Sequence, residues 1–196
     1  MNKTEKFVND NIDKFIAELG EFLKFESIST LPEKTEEMKK CAEFTAAKML
    51  EAGLDKAVVL ETGGHPVVYG ERLRVPGAPT VLIYGHYDVQ PVDPVELWSS
   101  APFDPVIKDG KIFARGATDD KGQLYMHIKA VQSILANSAE LPVNVKFIIE
   151  GEEEIGSPSL EPFLKANKEL LKCDVVLVSD TALYAPMLPT LTYGLR

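Results

Sequence analysis

Three short runs of branched apolar residues alternate with helical patterns, and this alternation constrains the fold most strongly. The runs cover residues 80–84, 143–149 and 174–179, and the helical patterns cover residues 122–135 and 160–171. Short runs this rich in branched apolar residues are typical of strands that are buried on both faces. Strands that alternate with helices form parallel sheets between helical layers. We therefore predict an α/β fold with a mostly parallel sheet layered between helices.

The first 71 residues add two helices and a strand pair to this prediction. Apolar residues three and four positions apart place one helix within residues 1–25, and a second is predicted over residues 33–51, with Gly53 as its stop. The period then shortens, and residues 57–61 and 67–71 are predicted strands joined by a glycine turn. Residues 87–111, rich in proline, are predicted to form a long ordered loop that serves a site.

Composition excludes several classes of function. Thirty acidic residues against 21 basic residues give a net charge of −9, which disfavours binding to nucleic acid or to anionic membranes. The two cysteines, Cys41 and Cys173, provide neither a disulfide framework nor a thiolate zinc site. The chain shows no secretory leader and no apolar run near the ~20 residues that span a bilayer. These features predict a cytoplasmic protein.

Ionisable side chains follow each of the three predicted parallel strands. His86 and Asp88 follow the first, residues 152–154 are all glutamate after the second, and Asp180 ends the third. A further acidic pair, at residues 119–120, precedes a predicted helix. Ligands of open α/β sheets bind beyond the carboxyl ends of the strands, so we expect these groups to converge at one edge.

Crowded carboxylates repel one another, and a divalent cation would relieve that repulsion. One imidazole with several carboxylates suits zinc, cobalt or manganese. Two such metals about 3.5–4 Å apart, sharing a carboxylate, would form a hydrolytic site.

Each group also has a purely structural explanation. His86 taken alone is a candidate core histidine with both nitrogens hydrogen-bonded, and the glutamate run is a candidate solvated face. Asp119 and Asp120 are equally suited to cap a helix, and Asp180 to end a strand in a turn. We assign no catalytic role to the other two histidines, His65 and His127.

Four segments resemble the sequence blocks of a metallopeptidase family that includes carnosinase, peptidase V, carboxypeptidase G, aminoacylase and succinyl-diaminopimelate desuccinylase. They are residues 84–91, 115–122, 149–157 and 178–180, in matching order and spacing. The loop around Trp98 is most similar to that of the carnosinase-like dipeptidase branch.

The resemblance implies a metal centre of two zinc ions, with cobalt or manganese as alternatives. Transferred position by position, it makes His86 and Asp180 ligands of one zinc, Asp119 the bridging ligand, and Glu154 a ligand of the second zinc. It also implies that the peptide bond between Asp119 and Asp120 is cis.

The implied activity is hydrolysis of dipeptides, with Glu153 as the general base and Asp88 orienting His86. Two alternatives remain. One is deacylation of small N-acyl amino acids at the same centre, and the other is a non-catalytic binding module on the same scaffold.

The resemblance also implies that residues 1–196 are the N-terminal portion of a catalytic domain. In the family the second metal takes a histidine from later in the chain, and no histidine follows Asp180 here. The family's lid and dimerisation domain follows a segment similar to residues 189–196. We therefore expect an inactive fragment, whose full-length protein forms a homodimer through the lid.

Overall fold

The computed structural model describes residues 2–185, 188, 190 and 191. Within this part five α-helices are formed: α1 Lys3–Asp10, α2 Ile12–Leu23, α3 Thr35–Glu51, α4 Lys121–Leu135 and α5 Leu160–Ala166. The seven strands are β1 Lys56–Leu60, β2 Val67–Arg72, β3 Thr80–His86, β4 Val106–Lys108, β5 Lys111–Phe113, β6 Asn144–Glu150 and β7 Val175–Val178. Apart from Thr190 and Leu191, the segment 189–196 that resembles the approach to the lid lies outside the described residues. None of the described helices has the length and apolar character needed to cross a bilayer.

Five strands form one sheet in the order β1–β2–β6–β3–β7. The three strands β6, β3 and β7 run parallel, while β2 and β1 extend the sheet antiparallel on the β6 side. The parallel part consists of the three apolar runs identified in the sequence, so the predicted α/β fold is confirmed. β3 is its central strand, and its carboxyl end is therefore flanked by the ends of β6 and β7.

At β6 both faces of the sheet are covered. Val145, Phe147 and Ile149 point into the core beneath α3 and α4, whereas Ile148 packs on the opposite face with Phe163 of α5. Successive side chains of a strand point to opposite faces, so a strand between two helical layers requires apolar residues at nearly every position. This requirement explains the apolar residues 147–149 of β6, while the buried Lys146 donates hydrogen bonds to the carbonyl oxygens of Leu170 and Lys172.

β7 departs from the prediction of burial on both faces. Val175, Val176 and Val178 remain 52, 57 and 51% exposed. Within the described residues β7 pairs only with β3, so it is an edge strand. The sequence shows that this strand is apolar, but its burial depends on neighbouring elements from other parts of the chain.

The predicted N-terminal helix is divided into α1 and α2 at Asn11. The Asn11 side chain donates a hydrogen bond to the Phe7 carbonyl, and its backbone leaves the helical region with ψ near 7°. Asparagine side chains compete in this way with backbone hydrogen bonds. α5 ends at Ala166, earlier than predicted, and the end of the predicted loop 87–111 forms part of the β4–β5 hairpin.

A buried ion pair fastens α2 to α4. Glu18 accepts hydrogen bonds from Lys129 Nζ at 2.6 Å and Tyr125 Oη at 2.5 Å. Although burial by itself raises the pKa of Glu18, these donors hold it below its ordinary value. The Lys129 side chain is only 7% exposed, so without Glu18 its ammonium group would lose its anionic partner and keep the weaker, uncharged hydrogen bond to Gln132 Oε1 at 2.9 Å.

We expect Glu18→Gln to lower the free energy of unfolding at pH 7 by about 2–3 kcal/mol, because it leaves a buried ammonium group without a carboxylate partner. The lowered pKa means that this stabilisation is present above the pKa of the unfolded state and is lost as the pH falls through the folded-state pKa. Urea unfolding should therefore show a smaller difference in the free energy of unfolding between the wild-type chain and Glu18→Gln at pH 3 than at pH 7. Glu21→Gln, on the same helix with an exposed partner, is the control and should change stability by less than about 0.5 kcal/mol. Equal effects of the two substitutions would contradict the assignment.

Candidate metal centre

Three of the predicted ligands meet at the carboxyl edge of the parallel strands. His86 Nε2 lies 3.1 Å from Asp119 Oδ1 and 3.6 Å from Asp180 Oδ2. One donor atom from each of the three residues lies within 4.8 Å of the other two. The structure therefore brings together groups separated by up to 94 positions in the sequence.

Strand register and a helix start position these three groups. His86 is the last residue of β3, and Val178 of β7 pairs with Tyr84, so Asp180 follows at the level of His86. Asp119 immediately precedes the turn into α4, and its peptide bond to Asp120 is cis, as the resemblance implied. The ligands thus come from three separate elements.

Asp88 contacts the His86 ring, which is fully buried. His86 Nδ1 lies 3.1 Å from the Asp88 carbonyl oxygen and 3.3 Å from its carboxylate, so Nδ1 carries a proton and Nε2 faces the other ligands. Burial by itself lowers the pKa of His86, but Asp88, Asp120 and Asp180 together raise it to about 10. The surrounding carboxylates therefore favour positive charge strongly at this position.

The three glutamates of residues 152–154 lie in different surroundings. A 3₁₀ turn over Glu153–Ile155 carries the second and third glutamates, and Asp88 accepts hydrogen bonds from the amides of Glu153 at 3.2 Å and Glu154 at 3.1 Å. Glu153 Oε2 lies 4.0 Å from His86 Nε2, whereas Glu154 Oε2 accepts a hydrogen bond from Gln90 Nε2 at 2.7 Å. Burial raises the pKa of both carboxyls, with further contributions from neighbouring acids. Glu154 lies outside the group of three, so its role as a ligand stays a prediction.

The donor set fits a divalent cation. Asp119, Asp180 and Glu153 face His86, and none of the three forms an ion pair with a lysine or arginine in the described part of the chain. Three carboxylates around one imidazole leave an excess of negative charge that a cation would neutralise. An imidazole nitrogen with carboxylate oxygens suits zinc, cobalt or manganese.

Asp120 is a site residue whose contacts the sequence did not reveal. Its Oδ2 accepts the backbone N–H of His86 at 3.1 Å, and its Oδ1 is buried without a hydrogen-bond partner among the described residues. Burial raises the pKa of Asp120 to about 7. A Cβ at Gly85 would lie 2.6 Å from Oδ2, so a glycine is needed directly before the histidine. In the sequence, only the glycine directly before His86 pointed to this close approach of Asp120.

Glu152 is the buried member of the glutamate run and anchors the turn. Its carboxylate accepts the amide hydrogens of His65 and Ser159, both at 2.9 Å. The run is therefore not a uniform solvated face, because its first glutamate is 5% exposed. His65 lies in this turn contact, outside the group of three ligands.

Curated proteins similar to this chain are dipeptidases. The chain is 35% identical to the Cys-Gly metallodipeptidase of Schizosaccharomyces pombe over 212 residues, covering 100% of this chain and 44% of that protein. It is 33% identical to the human Beta-Ala-His dipeptidase over 210 residues, covering 100% of this chain and 41% of that protein. The chain thus spans about two fifths of the length of these relatives.

Solved structures agree with the sequence matches. Human carnosine dipeptidase 1 superposes with a TM-score of 0.85 at 32% identity, over 92% of this chain and 41% of that chain. An M20 family metallo-carboxypeptidase of Sulfolobus solfataricus superposes with a TM-score of 0.77 at 44% identity, over 84% and 36% of the two chains. The model of Peptidase family M20/M25/M40 matches residues 82–186, which contain His86, Asp119, Glu153, Glu154 and Asp180, and the chain belongs to this family.

Proposed function

We propose that this chain carries the metal centre of a hydrolase that cleaves the peptide bond of dipeptides. The observation that supports it most is the meeting of His86, Asp119 and Asp180 around one point, with Glu153 at 4.0 Å from His86 Nε2. The dipeptidase names of the curated relatives support this substrate class.

The proposed ligands are His86 and Asp180 for one zinc ion, Asp119 for both ions, and Glu154 for the second, with cobalt or manganese as alternatives. When bound, such cations polarise the scissile carbonyl and make an attacking water more acidic. Gln90 holds the Glu154 carboxylate in the structure, and this hydrogen bond would have to yield or be shared when Glu154 binds a cation.

Glu153 is proposed as the general base. Its side chain is 36% exposed, so it reaches the solvent-facing side of the ligand group, and no described lysine or arginine neutralises it. Its raised pKa favours accepting a proton from the attacking water and passing it to the leaving amine. Protonation of the amine nitrogen completes the cleavage.

Asp88 is proposed to position both a metal ligand, His86, and the general base, Glu153. It holds the ring of His86 through Nδ1 and the backbone amides of Glu153 and Glu154 through its two carboxylate oxygens. A single fully buried carboxylate therefore sets the ligand and the base relative to each other.

We further propose that residues 1–196 form the N-terminal portion of a catalytic domain, and that the full-length protein is a homodimer through a lid domain. The share of the relatives that is matched and the exposed apolar surface of β7 support the first of these two proposals. The free thiols Cys41 and Cys173 support a cytoplasmic location.

The metal content of chain 1–196 tests the proposed division, in which this chain carries only part of the metal centre and the rest of the protein completes it. After dialysis we expect fewer than two zinc ions per chain and no dipeptide hydrolysis, because a site with an incomplete ligand set binds weakly and the substrate lacks positioning groups. Metal analysis and a dipeptide assay with added zinc or manganese measure both quantities. Two tightly held metals with rapid turnover would contradict the proposed division.

The activity itself is tested in a full-length protein carrying this chain. Hydrolysis of a dipeptide should disappear with a chelator and return with zinc. The N-acetylated form of the same dipeptide is the comparison substrate: preferential cleavage of that form would favour the deacylase alternative or a carboxypeptidase. No hydrolysis of either substrate by the metal-loaded protein would overturn the proposed function.

A further inference from the structure

We propose that His127 is a positioning residue of the metal centre, which holds the Asp180 end of β7 against α4 by its hydrogen bond to Ser179. This inference rests on the proposed function, because Asp180 is one of the proposed ligands. His127 had no assigned role in the sequence.

Asp180 lies where the sheet no longer holds the chain. The pairing of β3 with β7 ends at Tyr84 and Val178, two residues before Asp180. β7 is also an edge strand with half-exposed valines. Strand pairing and packing alone therefore leave the position of the Asp180 carboxylate weakly determined.

The residue directly before Asp180 contacts α4. His127 Nε2 is 2.6 Å from Ser179 Oγ, and Ser179 is the residue between the end of β7 and Asp180. Burial lowers the pKa of His127. The imidazole is therefore neutral at pH 7 and acts through a hydrogen bond between uncharged groups.

α4 thereby connects two proposed ligands from different elements. Asp119 lies two residues before the start of this helix, and His127 lies almost two turns into it. A rigid helix that begins two residues after Asp119 and holds the residue before Asp180 sets the separation of the two carboxylates. Since His127 Nε2 already contacts Ser179 and is not in the three-ligand group, its effect on a metal passes through Asp180.

The experiment measures the affinity of chain 1–196 for Co²⁺ by its visible absorption spectrum and for Zn²⁺ by competition. His127→Ala and Ser179→Ala should each weaken binding about tenfold, at the lower end of the range for groups that orient metal ligands. The double variant should be no weaker than either single variant, because both remove the same contact. His127→Gln, whose amide nitrogen can reach the hydroxyl, should recover most of the affinity.

Two reference variants make the result specific. Ser133→Ala removes a buried hydroxyl that donates a hydrogen bond within α4, to the Lys129 carbonyl, and should leave metal affinity unchanged. Asp180→Asn should weaken binding at least as much as His127→Ala. Thermal unfolding of the metal-free variants separates a loss of folding from a loss of affinity.

The outcomes distinguish the two proposals. Wild-type affinity in both His127→Ala and Ser179→Ala, with weakened binding in Asp180→Asn, would overturn the role of His127 and leave the metal centre standing. Additive losses in the double variant would also overturn it. If the wild-type chain bound no metal, or if Asp180→Asn bound it normally, the proposed centre would fail and this inference with it.

Discussion

Glu153→Gln in a full-length protein carrying this chain is expected to reduce kcat for dipeptide hydrolysis by about 10²–10⁴-fold, the usual contribution of a general base. The amide is nearly the same size as the carboxyl but cannot accept the proton of the attacking water. Because Glu153 is not a proposed ligand, the metal content should stay at the wild-type value. Stopped assays and metal analysis of the same preparation measure both quantities.

Glu154→Gln is the matched comparison, since it makes the same chemical change one residue later on the same 3₁₀ turn. It should lose one metal per chain, because a carboxylate ligand becomes a neutral amide. Its loss of activity should be recovered in part by excess zinc, whereas that of Glu153→Gln should not. If the two variants lost metal equally, the division between base and ligand would be wrong.

Gly122→Ala is expected to destabilise the fold by about 1–3 kcal/mol and to weaken metal binding, even though alanine favours helices. A Cβ at this position would lie 2.1 Å from the backbone oxygen of Ala117. Backbone atoms cannot swing away as a flexible side chain can, so the turn before α4 must shift. Asp119 belongs to that turn, and its carboxylate would move with it.

Gly20→Ala is the control for the helical effect of this change. Gly20 lies inside α2 with no atom within 4 Å of an added Cβ. This substitution should stabilise the protein by about 0.5–1 kcal/mol and leave metal affinity unchanged. Urea unfolding and cobalt titration measure the two effects. Stabilisation by Gly122→Ala as well would show that the turn tolerates the extra carbon atom.

The elements of the parallel sheet were predictable because their signals are local. Three apolar runs became β3, β6 and β7, and the pattern that predicted a helix over residues 122–135 became α4, one residue longer. Where local and tertiary effects compete, the prediction was incomplete. Asn11 divides the N-terminal helix through a side-chain hydrogen bond, and β7 is exposed because only β3 pairs with it in the described part of the sheet.

The sequence predicted which groups gather at one edge of the sheet. It predicted much less about how each side chain is placed there. The polar residues that follow β3 and β7 converge because parallel strands end at the same edge, and His86, Asp119 and Asp180 do meet. Identical glutamates side by side gave no indication that Glu152 is buried while Glu153 faces His86. Their environments differ because the 3₁₀ turn directs successive side chains to different neighbours.

The amino-acid sequence by itself determined which segments become parallel strands, at which edge the ionisable groups gather, and the excess of carboxylates over cationic groups there. Each follows from composition and periodicity, which act over a few residues. Only the tertiary structure decided that Asp120 bonds the His86 amide and that His127 reaches Ser179, 52 positions later. Such contacts join elements that are distant in the chain, and their distances depend on how helices and sheet pack together.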